Sequence, residues 1–97
     1  MNTIHELKTW IEPFQDVWDG RKTFEVREND RDFKTGDFIL LKEGQLGGFG
    51  MTDHDLTFVY TGREIGASIT YIMQGGKFGI EEGYVVMGID IIEKQNK

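Results

Sequence analysis

The chain has 97 residues and a net charge of −6, with 38% hydrophobic and 29% charged residues and no cysteine. This composition describes one folded domain over residues 1–97 and excludes a disordered tail, disulfides, cysteine nucleophiles and thiolate metal sites. No apolar run approaches the roughly 20 residues that cross a bilayer, and "MNTIHELKTW" lacks the basic start and apolar stretch of a signal peptide, so a cytoplasmic location is expected.

The only proline, Pro13, suits the first position of a helix, where its missing N–H would be unpaired in any case. Phe14, Val17 and Trp18 follow at i, i+3 and i+4, one apolar stripe, and Gly20 tolerates the positive φ that ends a helix. The spacing predicts a short helix over 13–19. Beyond it the period changes from 3.6 to 2. In "TFEVR" (23–27), Phe24 and Val26 share one face, expected in the core, and Thr23, Glu25 and Arg27 share the other.

"KTGD" (34–37) reads as a tight turn and "DFILLK" (37–42) as a buried strand. "EGQLGGFGMTDHD" (43–55) reads as a glycine-rich loop, longer than a packed hairpin requires. "LTFVY", "TGR" and "EIGASITYIM" (56–73) read as a hairpin, with Ile65, Ala67, Ile69, Tyr71 and Met73 alternating along its second strand. A second glycine loop (74–83) leads to a last strand over 84–92. The fold class is therefore α+β and mainly β: a small twisted sheet or barrel of five to six strands with one short helix.

The strand at 23–27 is the segment most suited to chemistry. Side chains two residues apart on a strand are held about 6.5–7 Å from one another. Thr23 offers a hydroxyl, Glu25 two acceptor oxygens and Arg27 a five-donor fork, and Lys22 can swing over the same face. Five of the eleven basic residues fall between Arg21 and Lys34, leaving that segment at +1 and the rest of the chain at −7. A local site for an anionic ligand fits this distribution; a broad surface that coats nucleic acid does not. The competing reading is a surface Glu25–Arg27 pair contributing less than about 1 kcal/mol.

Gly20-Arg21-Lys22-Thr23, the alternating strand ending at Arg27, and Lys34-Thr35-Gly36-Asp37 resemble the ASCH family, whose motif runs G-x-K-T-x-x-x-R followed by a G-D turn. From "HELKTW" to "QGGKFGIEEGYVV" the chain resembles a compact ASCH-related family of bacteria and their phages. The resemblance implies a PUA-like β-barrel with a helix beside a cleft lined by the G-x-K-T strand. It also implies two functions: binding of RNA or a nucleotide, and, in one branch, hydrolysis of N4-acylated cytidines.

In that branch the motif lysine, here Lys22, acts with a threonine whose position is held by Glu25, and with a glutamate from a helical segment that has no counterpart here. An enzymatic variant would use Glu25 as base and Lys22 as oxyanion stabiliser. A binding module would use Lys22, Thr23, Glu25 and Arg27, with Phe78 or Tyr84 stacking on a base and Gly75 and Gly76 shaping a rim or lid. The expected partner is RNA, a nucleotide or a modified nucleoside. Docking on a protein is a third reading that rests on the acidic charge alone.

Other signals are weaker. Asp53, His54 and Asp55 are consecutive and do not converge on a metal, so neither a metal nor another cofactor is expected. "GGKFG" (75–79) lacks the spacing of an NTP-binding loop. Trp10 and Trp18 bracket the helix and read as mainly structural, with Trp10 placed to edge the cleft.

Overall fold

The computed structural model describes residues 2–47 and 57–97. Along the chain run β1 (Ile4–Trp10), α1 (Ile11–Trp18), β2 (Phe24–Glu28), β3 (Phe38–Gly47), β4 (Thr57–Gln74) and β5 (Tyr84–Asn96). The strands form one mixed sheet in the order β1-β3-β4-β5-β2, with β1 and β3 parallel and the other neighbours antiparallel.

One face of this sheet carries the core: Leu7 of β1, Ile39 and Leu41 of β3, Ile65, Ala67 and Ile69 of β4, and Val85, Met87 and Ile89 of β5. Phe14 and Val17 of α1 close over it, with Phe33 from the segment before β3. Burying each large side chain contributes about 1.5–3 kcal/mol. Gly20, at φ +81°, ends the helix as expected, and its N–H donates to the Val17 carbonyl at 3.0 Å. The helix begins two residues earlier than the spacing predicts. Pro13 is its third residue, still in the first turn where no N–H is needed.

Several strands differ from the sequence expectation. β1 carries no legible apolar alternation, because two of its three inward residues are His5 and Thr9. His5 is held by Asp37, its Nε2–H donating to Oδ2 at 2.9 Å, and its ring packs edge-on against Phe33. The Thr3 and Lys34 N–H groups also donate to Asp37. These bonds, that from His5 foremost, hold the Asp37 carboxyl below the usual carboxylate range.

β3 continues through residues 43–47, which the glycine content assigns to a loop. Glu43 is buried there because Arg63 forks onto it, Nε to Oε1 at 2.9 Å and Nη2 to Oε2 at 2.7 Å, and Thr61 donates to Oε1 at 2.6 Å. Arg63 also donates to Gln15 and lies against the rings of Phe14 and Trp18, tying α1 to the sheet. The hydrogen bond from Arg63 is the main reason the Glu43 carboxyl lies below its ordinary range.

The expected hairpin at 56–73 is, over the described residues from Thr57 onward, one strand. "TGR" bends it without reversing it, and Gly62 takes φ +100° with the Lys97 N–H donating to its carbonyl. The observed hairpin is β3–β4. Register shifts at Gly66/Ala67 and Ile69/Tyr71 turn β4, so Tyr71 faces out although Ile69 faces in.

The sheet is not closed into a barrel. β1 and β2 are its two edges, and side chains rather than a backbone ladder bridge them. Arg27 Nη1 donates to the Lys8 carbonyl at 3.0 Å, and Arg31 donates to the Glu6 carbonyl. Among the described residues no helix is long and apolar enough to cross a membrane.

Candidate functional site

The gap between these two edges forms the candidate site. A cleft of about 390 Å³ is lined by Lys8, Thr9, Trp10 and Pro13 on one side and by Lys22, Glu25, Val26 and Arg27 on the other. β1 runs directly into α1, and Trp10, still extended at φ −64° and ψ 153°, occupies that corner. Its indole is consequently 54% exposed at the cleft mouth. On the opposite wall, the turn after α1 is held by the Arg21 and Lys22 N–H groups, which both donate to the Asp16 carbonyl. This delivers Lys22 to the start of β2.

β2 faces the opposite way from the one its apolar residues suggest. Glu25 pairs with Met87 and Arg27 with Val85, both core residues of β5, so the charged face turns inward. Glu25 is only 2% exposed, whereas Phe24 and Val26 are 44% and 51% exposed. Two cations make this burial tolerable. Arg27 donates to Glu25 Oε1 through Nε at 3.1 Å and Nη2 at 3.0 Å, and Lys22 Nζ donates to Oε2. Lys22 also donates to the Phe24 carbonyl at 2.8 Å, and Arg27 Nη2 to Thr9 Oγ1 at 3.1 Å. The interaction is thus a half-buried cation–carboxylate–cation array and not a solvated surface pair.

The arrangement leaves specific capacity unused. An ammonium has three donors and Lys22 commits two; a carboxylate has about four acceptor positions and Glu25 commits three. One donor and one acceptor therefore stand side by side. Three cations line the cleft against one carboxylate, so it is locally positive on an acidic protein.

Of the eight residues singled out in the sequence, Lys22, Glu25 and Arg27 come together here. Thr23 does not line the cleft; it is exposed, and its carbonyl accepts from the Ile89 N–H at 3.0 Å. Gly75, Gly76, Phe78 and Tyr84 also lie outside the cleft lining. Gly75, Gly76 and Phe78 belong to the β4–β5 connection, and Tyr84 opens β5, where it pairs with Glu28 on the sheet face opposite Glu25. Gly75 permits a close backbone approach, but to its own hairpin: its N–H donates to the Tyr84 carbonyl at 2.7 Å, and a Cβ would meet that oxygen. Phe78 is exposed at φ 56°.

Lys8 and Thr9 carried no sequence signal, because β1 itself was not legible. Among the described residues no cluster of metal-ligating side chains occurs; Asp53, His54 and Asp55 lie outside the described residues.

A family model described as "Domain of unknown function (DUF3850)" matches residues 4–89. The chain is also 36% identical over 70 residues to the "Uncharacterized 12.9 kDa protein in GpA 3'region" of Escherichia phage P2. That match covers 72% of this chain and 54% of the phage protein, so the chain spans about half the length of this relative. Both edges of the cleft fall inside the matched family segment, and the chain belongs to the DUF3850 family.

Proposed function

We propose that the cleft binds a nucleotide or a nucleotide unit of single-stranded RNA, in keeping with the ASCH-like motif of β2. The observation that carries this reading is Glu25, buried between Lys22 and Arg27 with an exposed indole at the mouth of the same cleft. The free donor of Lys22 and the free acceptor of Glu25 match a base edge that presents an acceptor beside an amine, as cytosine and adenine do and uracil and the Watson–Crick edge of guanine do not. Trp10 supplies a stacking surface, and Lys8 or Arg27 supplies charge for a phosphate.

Binding needs no rearrangement of the array. Hydrolysis of an acylated cytidine would require Glu25 to take a proton from water while three of its acceptor positions are engaged, so the geometry favours binding over turnover.

The test is titration of the four ribonucleoside monophosphates, followed by Trp10 fluorescence in a Trp18→Phe background. The expected result is saturable quenching, stronger for the cytidine and adenosine nucleotides than for the uridine and guanosine ones, and weakened by salt with the slope of one or two contacts. Absence of saturable binding for all four nucleotides would overturn the reading. Turnover of an N4-acylated cytidine by the wild type would replace it with the enzymatic one.

A further inference from the structure

Trp10 also belongs to a second feature, on the outer face of the sheet. Its ring meets Phe58 edge-on with centroids 5.6 Å apart, and Phe58 meets Tyr60 in the same manner at 5.2 Å. The three rings step from β1 across β3 to β4. Gly44 makes this continuous: it stands between Trp10 and Tyr60 in the strand registers, and a side chain there would collide with the Phe58 ring. Lys8 lies 5.7 Å from the Phe58 centroid, and Lys42, whose Nζ also donates to the exposed Glu6 carboxylate at 3.3 Å, lies 4.6 Å from that of Tyr60. Tyr60 is 45% exposed, so the track is open to solvent along with Trp10.

We propose that the ligand is a single-stranded RNA of several nucleotides, which continues from the cleft over Trp10 onto Phe58 and Tyr60. This rests on the nucleotide-binding reading of the cleft and extends it. Alternating aromatic rings and lysines are the combination that holds a single strand without regard to sequence: bases stack on rings while ammonium groups meet phosphates. The track shares Lys8 and Trp10 with the cleft, so one strand can occupy both without crossing a polar gap. The cleft selects one base; the track adds length-dependent affinity.

The experiment compares cytidine 5′-monophosphate with a hexacytidylate RNA on the full chain. The wild type is expected to bind the hexamer roughly tenfold or more tightly than the mononucleotide, from the stacking of additional bases. In Tyr60→Ser, and more so in Phe58→Ala/Tyr60→Ser, that ratio is expected to fall toward one. Lys42→Ala, which leaves the rings in place but exposes the unpaired Glu6 carboxylate beside the track, is expected to weaken the hexamer more than the mononucleotide. Equal wild-type affinity for the two ligands overturns the track and leaves the cleft reading intact. A ratio unchanged in the ring variants also overturns it. Binding of neither ligand overturns both readings.

Discussion

Arg27 and Thr9 lie on strands that share no ladder, yet the guanidinium Nη2 donates to the Thr9 hydroxyl at 3.1 Å. The same nitrogen donates to Glu25, and Nη1 donates to the Lys8 carbonyl. One side chain therefore neutralises the buried carboxylate and joins the two open edges of the sheet.

Replacing Arg27 by alanine should remove both functions at once. Glu25 would remain buried with Lys22 as its single cationic partner, and the expected cost is about 2–4 kcal/mol, somewhat below that of a fully buried pair because Arg27 is partly exposed. Arg27→Lys retains the charge but not the fork, and should recover less than half of the loss. Urea unfolding midpoints of the two variants check this.

Glu43 and Arg63 form the corresponding pair under α1. Arg63→Ala should destabilise by about 3 kcal/mol or more, through the orphaned Glu43 and the lost contact with Phe14 and Trp18. Since this pair lies outside the cleft lining, nucleotide affinity of the folded fraction should not change. A loss of affinity in well-folded Arg63→Ala would show that α1 sets the position of Trp10.

Acid should unfold the protein through two carboxyls. Asp37 is held low chiefly by His5, and Glu43 chiefly by Arg63. A lowered native value means that the unfolded state binds protons more readily, so the stabilisation is fully present above the ordinary carboxylate range, about pH 4 to 5. It is lost as the pH falls through the native values. Unfolding free energies measured from pH 6 to pH 2 should fall less steeply in Asp37→Asn and Glu43→Gln than in the wild type.

Gly44→Ala should report on the aromatic track without adding or removing a charge or a polar side chain. Its Cβ would press on the Phe58 ring and lie 2.6 Å from the Val59 carbonyl oxygen, at a cost of about 1–3 kcal/mol. The displaced ring should reduce hexanucleotide affinity more than mononucleotide affinity. Calorimetric titration of both ligands measures the difference.

Local chemistry in the sequence was enough for some of this structure. Phe14, Val17 and Gly20 define the helix and its end, because a 3.6-residue period and a positive-φ stop are properties of a single segment. Val85, Met87 and Ile89 likewise announce an inward face by their alternation. The G-x-K-T-x-x-x-R spacing brings Lys22 and Arg27 to one carboxylate because they flank it by three and two residues, within reach of any extended strand. The direction in which that carboxylate points was decided elsewhere. Alternation alone sends Phe24 and Val26 to the core; pairing with β5 sends Glu25 there instead, since its charge is met by Lys22 and Arg27 on either side. Partners distant in sequence also explain why β1 with His5 and Thr9, and the continuation of β3 from Glu43, did not read as strand. Their inward polar residues are satisfied by Asp37, Arg27 and Arg63, which lie 18 to 32 residues away. The cleft belongs to the same class of fact: Lys8, Thr9 and Trp10 meet β2 only because the curled sheet brings its first and last strands within the length of one arginine.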